Sequence, residues 1–390
     1  MSAPGKPLDI FVVAGEESGD VLGGALLAAL KVQAPQGVTF RGIGGTRMAG
    51  QGLKSLFPMD DLTAIGFGAV LSKLRTILKR LKETVEAICA APPDVLVLID
   101  APDFTHRVAA KVRKRRPDIP IVKYVSPTVW AWRSGRAKAM RPYTDRLLAL
   151  LPFEPEVHER LGGPVTDYVG HPLLEHLEDL RPSAEEVVRR ASDPPLVLAL
   201  PGSRRAELER LGAIFGEALG RVAVERPIEV VLPTLPRLVP KVLAMVASWP
   251  VPVRIVTDAG EKHAVFRQAR AALAASGTVT LELGLAGVPT VAAYKLSEWE
   301  AKIAPHVLHL TTVILANLVI GENVVPEFLQ KDCTPEKLSA ALLETLAEGP
   351  ARTRQLEGFA KLDTIMGADD APPSQRAAAV VLEAAAARRH

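Results

Sequence analysis

A chain of 390 residues exceeds what one hydrophobic core usually serves, so two domains are expected, each large enough to bury a sizeable interior. Its 47 basic and 44 acidic residues leave a formal net charge of +3, which excludes the broad basic field of a nucleic-acid binder and confines any positive surface to a local patch. Two distant cysteines, Cys89 and Cys333, form no CxxC pair; this argues against a disulfide framework or a cysteine zinc site and fits a reducing, cytoplasmic compartment.

The N-terminal segment runs from Met1 into the apolar stretch Ile10 to Ala14 and then into Glu16, Glu17 and Asp20, unlike a secretory signal. The apolar runs Asp9 to Ala14, Val38 to Gly42, Asp94 to Ile99, Ile119 to Val125, Arg146 to Leu151 and Val165 to Val169 alternate with helical patterns. That rhythm predicts βαβ units and a parallel sheet. From Phe67 the apolar residues Val70, Leu71, Leu74, Ile77, Leu78 and Leu81 fall on one helix face, while Lys73, Arg75, Lys79, Arg80 and Lys82 line the rest. A core-facing helix would carry the same stripe, but the lack of acidic residues before Glu83 suits an anionic bilayer surface.

Between Leu173 and Pro195 the sequence turns charged and loses its strand signals, which places the domain joint there. The alternation then resumes at Leu196 to Leu200, Ile228 to Leu232, Val253 to Val256, Ala271 to Ala274 and Thr290 to Ala293, a second doubly wound sheet. An apolar stretch around Leu310 to Ile320 is well short of the roughly 20 residues that cross a bilayer. The alanine-rich tail, Ser374 to Arg389, reads as a terminal helix.

Ligands of open α/β sheets sit beyond the carboxyl ends of the strands, so the strand-to-helix turns are the places to look. Asp100 ends the run Val95 to Ile99, and Asp100, Asp103 or Glu16 could act as a general base on an acceptor hydroxyl. Asp103 is also suited to N-cap a helix beginning near Phe104, which favours Asp100. The loop Ser126 to Arg133 holds Trp130 and Trp132, two of four tryptophans, as a sugar or acyl platform or as packing beneath a loop.

In the second half, Ser276-Gly277-Thr278 between a strand and a helix is an arrangement that receives a diphosphate, and Glu282 could accept from ribose hydroxyls. An ordinary turn with a solvated glutamate is the alternative. Gly202 in Pro201-Gly202-Ser203-Arg204 lets backbone approach an anion that Arg204 could neutralise; a surface arginine is the alternative. Neither GxxxxGK[ST] nor GxGxxG is present, which removes support for ATP hydrolysis and dinucleotide binding. His306 and His309 could share a helix face, but no third ligand accompanies them and no metal is expected.

Several motifs in one order resemble the lipid-A-disaccharide synthase family of bacterial glycosyltransferases, over nearly the whole chain. They are Ala14-Gly15-Glu16 with Ser18-Gly19-Asp20, Asp100-Ala101-Pro102-Asp103-Phe104, Ser126-Pro127 with Val129-Trp130-Ala131-Trp132-Arg133, Gly170-His171-Pro172, Leu200-Pro201-Gly202-Ser203-Arg204, Ala275-Ser276-Gly277-Thr278, and Asn317 with Pro326-Glu327-Phe328-Leu329-Gln330. The resemblance implies a GT-B fold of two facing Rossmann-like domains: residues 1–175 for acceptor and membrane, 193–350 for the UDP-sugar, and helices in 351–390 packing back on the first. It implies transfer from UDP-2,3-diacylglucosamine to the 6-hydroxyl of 2,3-diacylglucosamine 1-phosphate (lipid X), with inversion to a β-1,6 linkage and release of UDP, without metal or cofactor.

By position, Asp100 matches the family's proposed base and Asn317 another active-site residue, while Glu16 stays a catalytic candidate on its strand-end position alone. Arg204 and Glu282 match the family's UDP-binding residues; the turns themselves add Ser203, Ser276, Gly277 and Thr278 as UDP-site candidates and Trp130, Trp132, Arg133 and Asp103 as acceptor-loop candidates. Phe67, Val70, Leu71, Leu74, Arg75 and Leu78 would dock on the cytoplasmic face of the inner membrane, and a homodimer is compatible. Glu17 and Thr128 depart harmlessly from the family pattern, and Glu322-Asn323 stands where an arginine is expected. Rival readings are a UDP-sugar 2-epimerase or hydrolase on the same fold, an NAD-dependent oxidoreductase and a non-catalytic nucleotide-sugar sensor.

Overall fold

The computed structural model describes residues 6–62, 67–297 and 312–389, without the side chains of 67–73 and 389. His306 and His309 lie outside the described residues. The chain divides into two compact units, Met1–Glu175 with Asp370–His390, and His176–Asp369.

The first unit holds a parallel sheet of β1 (Leu8–Ala14), β2 (Val38–Ile43), β3 (Lys54–Ser55), β4 (Val95–Ile99), β5 (Ile121–Tyr124), β6 (Arg146–Ala149) and β7 (Val165–Tyr168), in the order β3-β2-β1-β4-β5-β6-β7. β4 is apolar at every position, and β1 at all but Asp9, because helices cover both faces. Ile10, Val12 and Ala14 of β1 and Val95, Val97 and Ile99 of β4 share one core with the helices Glu17–Gln33 and Pro373–Arg389. Phe11, Val13, Leu96 and Leu98 point the opposite way, into a core with the helices Phe67–Ala90 and Pro102–Arg115.

The second unit repeats the plan with β8 (Leu196–Leu200), β9 (Glu229–Pro233), β10 (Val253–Val256), β11 (Ala271–Ala275), β12 (Thr290–Tyr294) and β13 (Glu327–Leu329), ordered β10-β9-β8-β11-β12-β13. Val197, Ala199, Leu273 and Val291 form its core with Leu211, Phe215 and Leu219 of the helix Arg205–Glu225 and Leu338 and Leu342 of Pro335–Leu346.

The described organisation corrects two expectations about the chain's second half. The second unit begins at His176 rather than 193, because the helices Leu177–Leu180 and Ala184–Arg190 pack on Ala259–Gln268. Residues 351–369 also stay with it: Phe359 and Leu362 are buried and face Gly284, and a methyl group there would stand 2.8 Å from the Leu362 side chain. The segment that returns to the first unit starts at Asp370, and its helix carries Ala377, Ala378, Val381 and Ala385 into the first core.

The amphipathic helix reaches Ala90, and its second half is core: Leu81, Val85 and Ile88 are buried, whereas Leu74 and Leu78 are 43% and 47% exposed. The side chains of Phe67, Val70 and Leu71 lie outside the described residues. Arg75 is exposed, but the expected basic face is partly neutralised. Arg80 turns inward to Asp61 and Glu83, both at 2.6 Å, and lies over Phe57, while Lys79 and Lys82 face Glu83 and Glu86 one turn on. No helix among the described residues is long and apolar enough to cross a membrane.

Fully buried Val381 tests the docking of the C-terminal helix. Val381→Ala should destabilise the first unit by roughly 2 kcal/mol, seen as a lower denaturation midpoint. An unchanged midpoint would mean that this helix does not complete the core.

Candidate functional site

In the first unit the strand order reverses between β1 and β4, which lie side by side with Ala14 opposite Ile99. The next residues, Gly15-Glu16 and Asp100-Ala101, therefore emerge together at a topological switch point, where open α/β sheets bind ligands. The approach is close: a Cβ on Gly15 would lie 2.7 Å from that of Ala101. Glu16 is exposed and caps the helix Glu17–Gln33 by position, and Ser18 donates to Asp100 Oδ2 at 3.2 Å.

Asp100 and Ala101 both adopt left-handed backbone, with φ of 46° and 41°. Such geometry costs a non-glycine residue roughly 1–2 kcal/mol and persists only where surroundings hold it. Here the Asp100 N–H donates to the Tyr124 carbonyl at 3.0 Å. Its own carbonyl accepts from Thr105 Oγ1 at 2.8 Å and from the Lys123 ammonium.

The same turn corrects the capping role expected of Asp103. Ala101 is the N-cap and Pro102 opens the helix, so Asp103 sits in its first turn, with its side chain 92% exposed and 3.8 Å from Arg136. Asp20, inside the Ser18-Gly19-Asp20 motif, is buried and accepts the N–H groups of Gly45, Arg47 and Met48 at 2.7, 2.9 and 3.1 Å. It fastens the turn after β2.

The loop after β5 separates its two tryptophans. Trp130 packs edge-on to Phe153 and donates to Glu154 at 3.2 Å, so it belongs to the packing beneath the loop. Glu154 also receives the N–H groups of Leu150 and Leu151, and burial pushes its carboxyl up to about 7. Ser126 Oγ meets His158 Nε2 at 2.8 Å, and burial holds that imidazole down at about 4. Among the described residues His158 Nδ1 has no hydrogen-bond partner, so no third group orients the ring and the pair is a buried anchor. Trp132 is 37% exposed, with the guanidinium groups of Arg133 and Arg136 4.3 and 5.5 Å from its ring centre.

The second unit reverses its strand order between β8 and β11, where Leu200 lies opposite Ala274. Pro201-Gly202-Ser203-Arg204 and Ser276-Gly277-Thr278 thus leave the sheet at one switch point. The first turn holds an anion from its own chain. Glu207 Oε2 accepts the N–H groups of Ser203 and Arg204 at 2.9 and 3.1 Å, and a Cβ on Gly202, whose φ is 119°, would lie 2.4 Å from that oxygen. The backbone approach expected to serve a ligand serves Glu207, and the exposed Arg204 guanidinium touches the same carboxylate at 3.3 Å.

Ser276 donates to the Val313 carbonyl at 2.7 Å, leaving Gly277 and Thr278 exposed at the start of the helix Thr278–Leu285. Glu282 is nearly buried and paired with Lys262 at 2.5 Å, not a solvated surface group. Asn317 departs further from its expected catalytic place. It is buried, its Oδ1 accepts from Val324 and Val325 N–H at 3.1 and 2.9 Å, and its Nδ2 donates to the Val325 carbonyl at 2.9 Å. Its amide holds the 324–325 backbone.

Sequence reasoning missed Lys123, Thr105, Glu207 and Lys262. Two left a signal: a lysine inside the apolar run Ile119 to Val125, and a glutamate three residues beyond the N-cap Arg204, the capping-box position.

Two doubly wound parallel units with paired turns at their switch points give the chain the GT-B fold. Solved structures share the architecture. The calicheamicin glycosyltransferase CalG4 matches with a TM-score of 0.57 and 16% identity over 97% of this chain and 98% of its own. The UDP-GlcNAc 2-epimerase of Neisseria meningitidis, bound to UDP-GlcNAc, matches at 0.61 and 12% over the same shares. At such identity the likeness concerns fold alone.

The chain belongs to the lipid-A-disaccharide synthetase family, whose pattern spans residues 10–369. The lipid-A-disaccharide synthase of Nitrobacter hamburgensis is 57% identical over 381 residues, 97% of this chain and 96% of the relative.

The two tryptophans give a contrast in stability. Trp130→Ala should cost roughly 3 kcal/mol by emptying packed volume, and Trp132→Ala less than about 0.5 kcal/mol, in thermal or denaturant unfolding. Equal losses would contradict the separation.

Proposed function

We propose that this chain transfers the sugar of UDP-2,3-diacylglucosamine to the 6-hydroxyl of 2,3-diacylglucosamine 1-phosphate, inverting the anomeric carbon to form the β-1,6-linked lipid A disaccharide 1-phosphate. The observation that carries the reading is the Asp100 carboxylate, set at the β1/β4 switch point on a strained and multiply held turn. Asp100 takes the proton of the acceptor hydroxyl as its oxygen attacks the anomeric carbon, and the bond to the diphosphate breaks with its electron pair leaving on UDP. Glu16, at the neighbouring strand end, shares in placing the acceptor.

In the second unit the growing diphosphate charge is met by the exposed Arg204 and by the helix start at Ser276, Gly277 and Thr278. Glu282, steadied by Lys262, receives the ribose hydroxyls. Asn317 and Glu207 act from behind, ordering backbone around this site. Exposed Leu74 and Leu78, with Arg75, support peripheral docking on an anionic bilayer that presents the acylated substrates.

Purified protein given both acylated substrates, detergent and a chelator should release UDP and form disaccharide, detected by mass spectrometry. UDP without disaccharide would indicate hydrolysis, and neither product would overturn the reading. Asp100→Asn should lower turnover roughly 100- to 10,000-fold with UDP affinity unchanged. An equal loss of UDP binding would make Asp100 a nucleotide ligand instead.

A further inference from the structure

We propose that Lys123 is a positioning residue for glycosyl transfer, holding the Asp100 carboxylate in place through Asp100's own backbone carbonyl. The proposal rests on the reading of Asp100 as the base and extends it to a residue that never meets substrate.

Lys123 lies on β5, opposite Leu98 of β4, and is 2% exposed, flanked on its own strand by the buried Val122 and Tyr124. Burying an ammonium is expensive unless its donors are used, and an apolar side chain would serve the core better. Among the described residues no carboxylate comes within ion-pair distance of Nζ. The ammonium instead donates to the Asp100 carbonyl and to Thr105 Oγ1, the latter at 3.1 Å. Thr105 Oγ1 in turn lies 2.8 Å from that same carbonyl and 3.0 Å from that of Ala101. Two side chains thus converge on the peptide group whose left-handed turn aims Asp100. Burial draws the ammonium down to about 7, while the charges of Asp100 and Glu16 act to keep it protonated. Without this grip the Asp100-Ala101 turn relaxes toward ordinary backbone and its carboxylate swings with it.

The test is a double-mutant cycle on the full chain, with kcat, donor KM and UDP affinity measured for Lys123→Met, Asp100→Asn and the pair. A misplacement of about 1 Å costs on the order of 100-fold, so Lys123→Met should lower kcat by about that factor, with donor KM and UDP affinity changed less than about twofold. In the Asp100→Asn background Lys123→Met should add nothing, because the group it positions is gone.

The same fold loss in both backgrounds, or a loss carried by KM, would overturn the role of Lys123 alone. Wild-type turnover in Asp100→Asn would overturn the base assignment, and this proposal with it. Should Lys123→Met fail to fold, isosteric Thr105→Val carries the same cycle. It should lower kcat about tenfold, an effect that vanishes beside Asp100→Asn. Unchanged kcat in Thr105→Val would overturn the proposal.

Discussion

In a sheet of parallel strands joined by right-handed crossovers, a reversal of strand order sends successive helices to opposite faces and leaves two adjacent strand ends uncovered. This chain makes that reversal twice, between β1 and β4 and between β8 and β11. Each functional assignment here depends on it. Gly15-Glu16 and Asp100-Ala101 meet because Ala14 and Ile99 are neighbours, and Gly202-Ser203-Arg204 meets Ser276-Gly277-Thr278 because Leu200 and Ala274 are. Segments some 70 to 85 residues apart in sequence become one surface.

The two switch points are built differently, in keeping with different chemistry. The first is tensioned: left-handed Asp100 and Ala101 are held by Tyr124, Thr105 and a buried lysine, which keeps a carboxylate in one place. The second pairs its cation with an anion of its own chain, since Glu207 takes the Ser203 and Arg204 N–H groups and touches the Arg204 guanidinium. That carboxylate keeps the turn ordered while Arg204 stays exposed on its far side. General-base work needs a fixed proton acceptor, and diphosphate departure needs positive charge placed in advance.

Most of the sheet architecture was legible because strands buried on both faces are written as unbroken apolar runs, as in Ile10 to Ala14 and Val95 to Ile99. β3 and β13 were not, since strands of two and three residues at sheet edges carry too little pattern. The first unit's end at 175 was legible, but the polar segment that follows was read as a joint where burial, not charge, assigns it: its helices already pack within the second unit. Locations of site residues followed from strand ends, but their contacts did not. The partners that occupy Asn317, Glu282 and the 202–204 turn come from tertiary contacts or from a side chain folding back, which local pattern does not reveal. The N-cap reading of Asp103 failed because nothing local announces the left-handed pair at Asp100 and Ala101.

The central claim, that the first unit supplies the base and the second receives the diphosphate, is tested most directly by determining where UDP sits in a crystal of the protein. The account predicts the diphosphate against Ser276, Gly277 and Thr278 within reach of Arg204, with the ribose beside Glu282. A diphosphate lodged instead at the Gly15 to Gly19 turn of the first unit would contradict it.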